Sequence, residues 1–240
     1  MTDVLVERRG RVAVLTLSRP RAGNRITQPM AAELIAALDG ARRDSGTAGC
    51  VLTGAGDVFC LGGDYQGAGP TTAGRMEFGR AHIDLIDAMS RLGKPLVAAV
   101  NGDAHAGGFA LTVACDMAFV AEDATMGLPE AAHGLFPFLA LSIVRDTLPK
   151  KLLFEIVYGA RLLDAQEACA HHLANAALPK DGVLARAIET VERAARANPD
   201  VLALGRDLYH AARSTSGAEA LDMARFALGA ALGARDEARP

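Results

Sequence analysis

The residues whose types and spacing could do chemistry sit in short stretches of the middle of the chain. Gly62-Gly63 lies near the end of the run Val51-Leu-Thr-Gly-Ala-Gly-Asp-Val-Phe-Cys-Leu-Gly-Gly-Asp-Tyr65. Gly107-Gly108 closes Lys94-Pro-Leu-Val-Ala-Ala-Val-Asn-Gly-Asp-Ala-His-Ala-Gly-Gly108, which leads into Leu111-Thr-Val-Ala-Cys-Asp116. Glu130 ends Gly127-Leu-Pro-Glu130, and Gly134-Leu-Phe-Pro137 follows. An isolated Pro-Glu is by default a solvated loop glutamate. Here Met126, Leu128, Phe136, Phe138 and Leu139 are neighbours in sequence. If they surround the carboxyl group, loss of solvation raises its pKa and makes it a better general base. Glycine lets backbone approach a ligand closely, although either pair alone need only shape a turn.

Other chemistries fit less well. Gly54-Ala-Gly56 after a strand invites a dinucleotide-binding reading, but Phe59 stands where a third glycine is needed and no helix obviously begins. His105 and His133 could assist proton transfer near neutral pH. A lone histidine is more often a hydrogen-bonded structural residue, and both are read that way. His171-His172 ends a predicted helix, where positive charge suits the dipole. No spacing of ligand-type residues makes a metal site. Cys50, Cys60, Cys115 and Cys169 form no C-x-x-C pair and read as reduced, mostly buried thiols.

The elements that must position these groups follow from the hydrophobic pattern. Val4–Arg8 and Val12–Ser18 read as strands of a hairpin with Gly10 between them. Gln28–Arg43 carries Met30, Leu34, Leu38 and Ala41 at the spacing of one helix face. Val51–Thr53 is a short buried strand. Gly67–Gly74 reads as a flexible loop or lid, and Arg75–Leu92 as a helix that Pro95 prevents from continuing. Leu96–Val100 is the next buried strand. Gly107-Gly108 opens a short apolar helix, and a strand follows around Met117–Val120. Beyond Pro137 the chain turns mostly helical, with capping boxes at Asp164–Glu167 and Ser216–Glu219. Strands separated by helices, then a helical tail, give an α/β core with a C-terminal helical subdomain.

The order and spacing of the three glycine and glutamate segments resemble those of the crotonase (enoyl-CoA hydratase/isomerase) family. Arg19-Pro20 with Asn24 before the first helix resembles it too, as does Gly159-Ala-Arg-Leu-Leu-Asp-Ala-Gln-Glu-Ala168. The likeness runs from about Val12 to Pro179. It implies a β-β-α spiral core over residues 1–180 and a helical, trimerising subdomain over 181–240. It also implies chemistry beside a thioester carbonyl, which passes through an enolate-like state with charge on oxygen. The backbone N–H groups of Gly63 and Gly107 would form the oxyanion hole. One such donor is worth roughly 3–4 kcal/mol, and the start of a helix at Gly107 adds positive potential. Glu130 matches the family's catalytic glutamate. Ala22 and Arg25, with Asp64, Tyr65 and Gln66, match positions that contact CoA. A lysine is common at the place of Gln66, and Arg21 or Arg25 could supply that charge.

The chain departs from the pattern at Ala110, where hydratases carry a second glutamate. Hydration asks for two jobs, activating water and delivering a proton to the α-carbon. A double-bond shift asks for one group that removes a proton and returns it elsewhere. A single Glu130 therefore points to enoyl-CoA isomerisation. The alternatives are hydration or another reaction of the family, including β-diketone hydrolysis, and a non-catalytic acyl-CoA-binding role. After Pro137, Phe138-Leu-Ala-Leu141 replaces a glycine-rich turn, and bulkier residues would reshape or narrow the acyl pocket. The chain stops about where many members begin a last helical stretch over the adenine end of CoA.

Bulk properties set the remaining expectations. Half of the 240 residues are hydrophobic, 22% are charged, and the formal net charge is −3. That balance suits a folded domain and gives no reason to expect nucleic acid or an anionic membrane as partner. The N-terminus has no long apolar stretch after its basic residues, so no signal peptide is expected. No apolar run approaches the ~20 residues of a membrane span. The expectation is a cytoplasmic homotrimer or dimer of trimers acting on an acyl-CoA, with no metal and no cofactor beyond the substrate's own CoA.

Overall fold

The computed structural model describes residues 2–237. Strand β1 (Val4–Arg9) turns at Gly10 into β2 (Val12–Leu17), and the two pair antiparallel. β1 is a sheet edge, buried only at Val4, and carries Glu7, Arg8 and Arg9 outward, charges that discourage pairing with another chain. Helix α1 (Gln28–Arg43) starts where the Thr27 side chain accepts a hydrogen bond from the Met30 amide. Met30, Leu34, Leu38 and Ala41 form its buried face, as the spacing predicts.

From β2 onward the sheet is parallel. β3 (Gly49–Gly54), β4 (Leu96–Val100), β6 (Met117–Ala121) and β9 (Ala176–Leu178) add to it in the order β1-β2-β3-β4-β6-β9. β4 is buried at every residue, the mark of a parallel strand covered on both faces. Helix α7 (Lys180–Ala194) lies against β3, β4 and β6, with Val183, Ala187 and Val191 buried.

A second, smaller sheet holds β5 (Ala104–His105), β7 (Thr125–Gly127) and β8 (Leu162–Asp164). Two of the short strands follow a large-sheet strand by a few residues: β5 follows β4, and β7 follows β6, while β8 follows α5 and pairs antiparallel with β7. Parallel bridges Ile26–Gly63 and Cys60–Ala104 continue the same row. This repeat of strand, short strand and helix is the spiral expected of the core.

Helix α2 (Thr72–Ser90) starts three residues earlier than its pattern suggests, because the Thr71 side chain caps the Gly74 amide. The loop expected over Gly67–Gly74 is correspondingly short, and a 3-10 turn (Tyr65–Ala68) takes up its first two residues. Helix α3 (Gly107–Ala114) begins on the glycine pair. A 3-10 turn (Pro129–His133) carries Glu130, and α4 (Phe138–Val144) and α5 (Lys150–Gly159) follow. α6 (Ala165–Ala170) has the full capping box of Asp164 and Glu167. His171 caps its C-terminus.

Helices α8 (Pro199–Ala212) and α9 (Gly217–Glu237) pack on each other. Arg206 ties α8 to the body: it bonds Asp116, the Ser90 carbonyl at 2.6 Å and the Met89 carbonyl at 2.8 Å. Leu204, Tyr209, Leu221, Phe226, Leu228 and Leu232 of this pair are exposed. Among the described residues no helix is long and apolar enough to cross a membrane.

Candidate active site

Two peptide amides are pressed together where side chains are absent. Gly62 has φ +101°, and a β-carbon there would stand 2.7 Å from Ala106 Cβ and 3.3 Å from the Gly107 nitrogen. A β-carbon on Gly107 would stand 3.5 Å from the Gly63 nitrogen. The bridge to Ile26 uses the Gly62 carbonyl and the Asp64 amide, both at 2.8 Å. That alternation leaves the Gly63 N–H on the other side of the strand. Gly107 is the first residue of α3, so its N–H has no acceptor within the helix. The residue before it, Ala106, has φ +52° and ψ −119°, a conformation L-residues rarely adopt. Its amide is fixed by a 2.8 Å bond to the Gly127 carbonyl. Strain at such a position is typical of functional sites.

Glu130 is the second residue of its turn and is only 6% exposed. Its Oε2 is buried and makes no hydrogen bond. Burial pushes the carboxyl up from the ordinary glutamate range, against smaller opposing effects of its backbone amide and the His133 charge. Met126 and Leu128, next to it in sequence, are fully buried. Phe138 is 74% exposed and packs on Phe136 with ring centres 5.1 Å apart.

The residues expected at CoA positions form one rim. Ala22 ends a 3-10 turn (Pro20–Ala22), and its carbonyl accepts from the Arg25 amide. Arg25 is exposed and its guanidinium donates to the Leu61 carbonyl at 2.6 Å. Asp64 pairs with Arg19 at 3.0 Å. Tyr65 is exposed, stacks on Phe78 at 5.3 Å and feels the Glu130 charge, although burial does more to push its phenol up. Gln66 is exposed. Asn24, which the sequence marks only by resemblance, proves to be the rim's fastener. It is fully buried and bonds the Arg19 amide and the Ala55 and Val58 carbonyls, each at 2.9 Å.

His105 is the hydrogen-bonded structural residue that the sequence suggests. His105 Nε2 pairs with Thr125 Oγ1 at 2.8 Å, and Thr125 donates to Asp103 at 2.8 Å, so its ring braces β5 against β7. His133 is exposed. The histidine that adjoins the amide pair is His82, which sequence reasoning missed. It lies one helical turn after Phe78 on α2 and stacks on that ring at 4.4 Å. Its Nδ1 meets the Phe78 carbonyl at 2.9 Å, and its Nε2 is buried without a partner. A β-carbon on Gly63 would stand 2.9 Å from Phe78 Cζ and 3.3 Å from His82 Nε2. The only signal for His82 in the sequence is its four-residue spacing from Phe78. Together these groups can hold an anionic oxygen on two amides and move a proton beside it.

Comparison with known proteins shows the family. The family model for enoyl-CoA hydratase/isomerase matches residues 7–235. The chain is 34% identical over 196 residues to an enoyl-CoA hydratase of Mycobacterium tuberculosis, covering 79% of this chain and 73% of that protein. It is 31% identical over 211 residues to the carnitinyl-CoA dehydratase of Proteus mirabilis, covering 87% and 80%. A crystal structure of an enoyl-CoA hydratase from Mycobacterium smegmatis superimposes with a TM-score of 0.91 at 25% identity, covering 96% of this chain and 91% of that one.

Proposed function

The chain belongs to the enoyl-CoA hydratase/isomerase family, and from that membership we propose that Glu130 moves a proton on an acyl-CoA thioester whose enolate oxygen rests on the Gly63 and Gly107 amides. The observation that carries this reading is the buried, unpartnered Glu130 Oε2 in a fold that also leaves those two amides free of backbone partners. A carboxylate with a raised pKa is a stronger base than one in water, and amides fixed beforehand stabilise charge as it develops on oxygen.

One carboxylate can complete a double-bond shift. Glu130 takes a proton from the α-carbon of a 3-enoyl-CoA, the charge spreads to the thioester oxygen, and the same carboxyl returns the proton at the γ-carbon. The product is the 2-enoyl-CoA. Ala110, buried in α3, offers no second carboxylate, which favours this reaction. Hydration or dehydration is the second reading, favoured by the names of the hydratase and dehydratase relatives. In either reaction Ala22, Arg25, Asp64, Tyr65 and Gln66 would line the CoA end, and no metal or further cofactor takes part. The exposed apolar side chains of α8 and α9 suit burial in a homotrimer or dimer of trimers, and the cytoplasm is the proposed location.

A paired assay tests the reading. Wild type and Glu130→Gln are followed for conversion of 3-enoyl-CoA to 2-enoyl-CoA and for hydration of crotonyl-CoA. Isomerisation by wild type that disappears in the variant is the expected result. Hydration with no double-bond shift would reject the isomerase assignment. Acyl-CoA binding without either reaction would turn the reading to a binding role.

A further inference from the structure

We propose that His82 is a second proton-transfer group of this site and that it supplies the water-activating base for which the chain has no carboxylate at position 110. The inference rests on the Glu130 reading and extends it.

Three observations converge on this ring. First, its tautomer is set. Nδ1 lies 2.9 Å from the Phe78 carbonyl, which can only accept, so Nδ1 carries the hydrogen and Nε2 presents a lone pair. Second, that lone pair is buried and unused. Leaving a buried acceptor unpaired is costly, and a ligand that donates to it removes the cost. Third, Nε2 adjoins the oxyanion strand, 3.3 Å from where a Gly63 β-carbon would be. Glycine at 63 makes that approach available, because a methyl group would press on both Phe78 and His82. The ring is also held on its face by Phe78, itself stacked on Tyr65, so Nε2 cannot swing away freely. Burial holds the imidazole in its neutral, proton-accepting form to lower pH than usual.

The chemistry balances with the groups present. Water oxygen bonds to the β-carbon of a 2-enoyl-CoA while His82 Nε2 takes one water proton. The π electrons of the double bond move to give the enolate, whose oxygen is held by the Gly63 and Gly107 amides. Glu130, in its acid form, gives its proton to the α-carbon. The imidazolium then returns its proton through solvent to the Glu130 carboxylate. One water is added across the double bond, nothing is oxidised or reduced, and the reverse sequence dehydrates a 3-hydroxyacyl-CoA. With Glu130 alone the site shifts double bonds; with His82 it also hydrates.

The test compares hydration of crotonyl-CoA with isomerisation of a 3-enoyl-CoA in wild type, His82→Gln and His82→Asn. Gln keeps a neutral polar group near the place of Nε2, and Asn keeps a donor for the Phe78 carbonyl. Neither can take a proton. The expected result is a fall of about 100-fold in the ratio of hydration to isomerisation, the scale of a lost general base. A ratio within tenfold of wild type in both variants overturns the proposal. So does loss of both reactions in both variants, which makes the ring structural. Wild type that isomerises without hydrating rejects His82 and leaves Glu130 standing. Wild type that does neither rejects the Glu130 reading itself, and this inference with it.

Discussion

The amide nitrogen of Gly63 lies 3.5 Å from the point where a β-carbon on Gly107 would stand. The two glycines share this closeness but not the same tolerance. The atoms nearest a methyl group at 107 are Gly62 and Gly63 backbone, at 3.4 Å or more. Gly107→Ala should therefore fold normally, while its methyl crowds the space over the Gly63 N–H. We predict a loss of about 10²-fold in kcat, near the value of one oxyanion donor, with Tm within a few degrees of wild type. Gly63→Ala should lower both activity and Tm, because its methyl stands 2.9 Å from Phe78 Cζ. Steady-state kinetics and thermal melts on the two variants check the contrast.

Glu130 predicts a pH dependence. The base acts when ionised, and burial raises its pKa. The isomerisation rate should fall as pH drops through a value above the ordinary carboxylate range, measured as kcat/KM against pH. The same shift has a stability consequence. A group whose folded pKa is raised contributes stability that is fully present below its unfolded pKa and is lost as pH rises through the folded value. Glu130→Gln should therefore raise Tm at neutral pH, and the gain should vanish once pH is below the unfolded glutamate pKa. Glu130→Gln should also lower the isomerisation rate by about 10²–10⁴-fold.

Much of this frame was legible in the sequence. Helix α1 spans Gln28–Arg43 as its apolar stripe says, because Met30, Leu34, Leu38 and Ala41 fall on one face. β4 reads as a buried strand because every residue in it is apolar. The strands of the small sheet are two or three residues long, too short for any period to show. The loop before α2 is shorter than the pattern predicts, because Gly74 looks like a breaker while Thr71 caps its amide inside the helix. His105 stood out because it borders the glycine pair, yet Thr125, distant in sequence, occupies it. His82 did not stand out, since what brings it to Gly63 is the packing of α2, and no local pattern encodes that. The relation of Gly63 to Gly107 was readable only through family resemblance.

Asn24 fastens the rim of the site. It has φ +50° and satisfies one amide and two carbonyls while fully buried. Asn24→Ala leaves those groups unpaired and places alanine in a left-handed conformation. We expect a loss of about 3 kcal/mol, read by urea unfolding, with a rise in KM for acyl-CoA as the Arg25 segment loosens.

Arg206 should be a stability residue and not a site residue. Its side chain is 9% exposed and makes its bonds to Asp116, Ser90 and Met89, none of them a residue of the proposed site. Asp116 also accepts from the Leu96 amide at 2.8 Å. Arg206→Ala removes the buried guanidinium that donates to the Ser90 and Met89 carbonyls and pairs with the partly exposed Asp116, and should cost about 2 kcal/mol. Urea titration should show the shift, with the KM of the folded variant little changed.

The measurement that most directly tests the central claim is exchange of the α-hydrogens of a saturated acyl-CoA in heavy water, followed by proton NMR with wild type and Glu130→Gln. Removing an α-proton to give a thioester enolate is the step assigned to Glu130, and exchange reports that step without any later one. The account predicts catalysed exchange by wild type and a rate at least 100-fold slower with the variant, the scale of a lost general base. Exchange that proceeds equally well without the Glu130 carboxylate would contradict it.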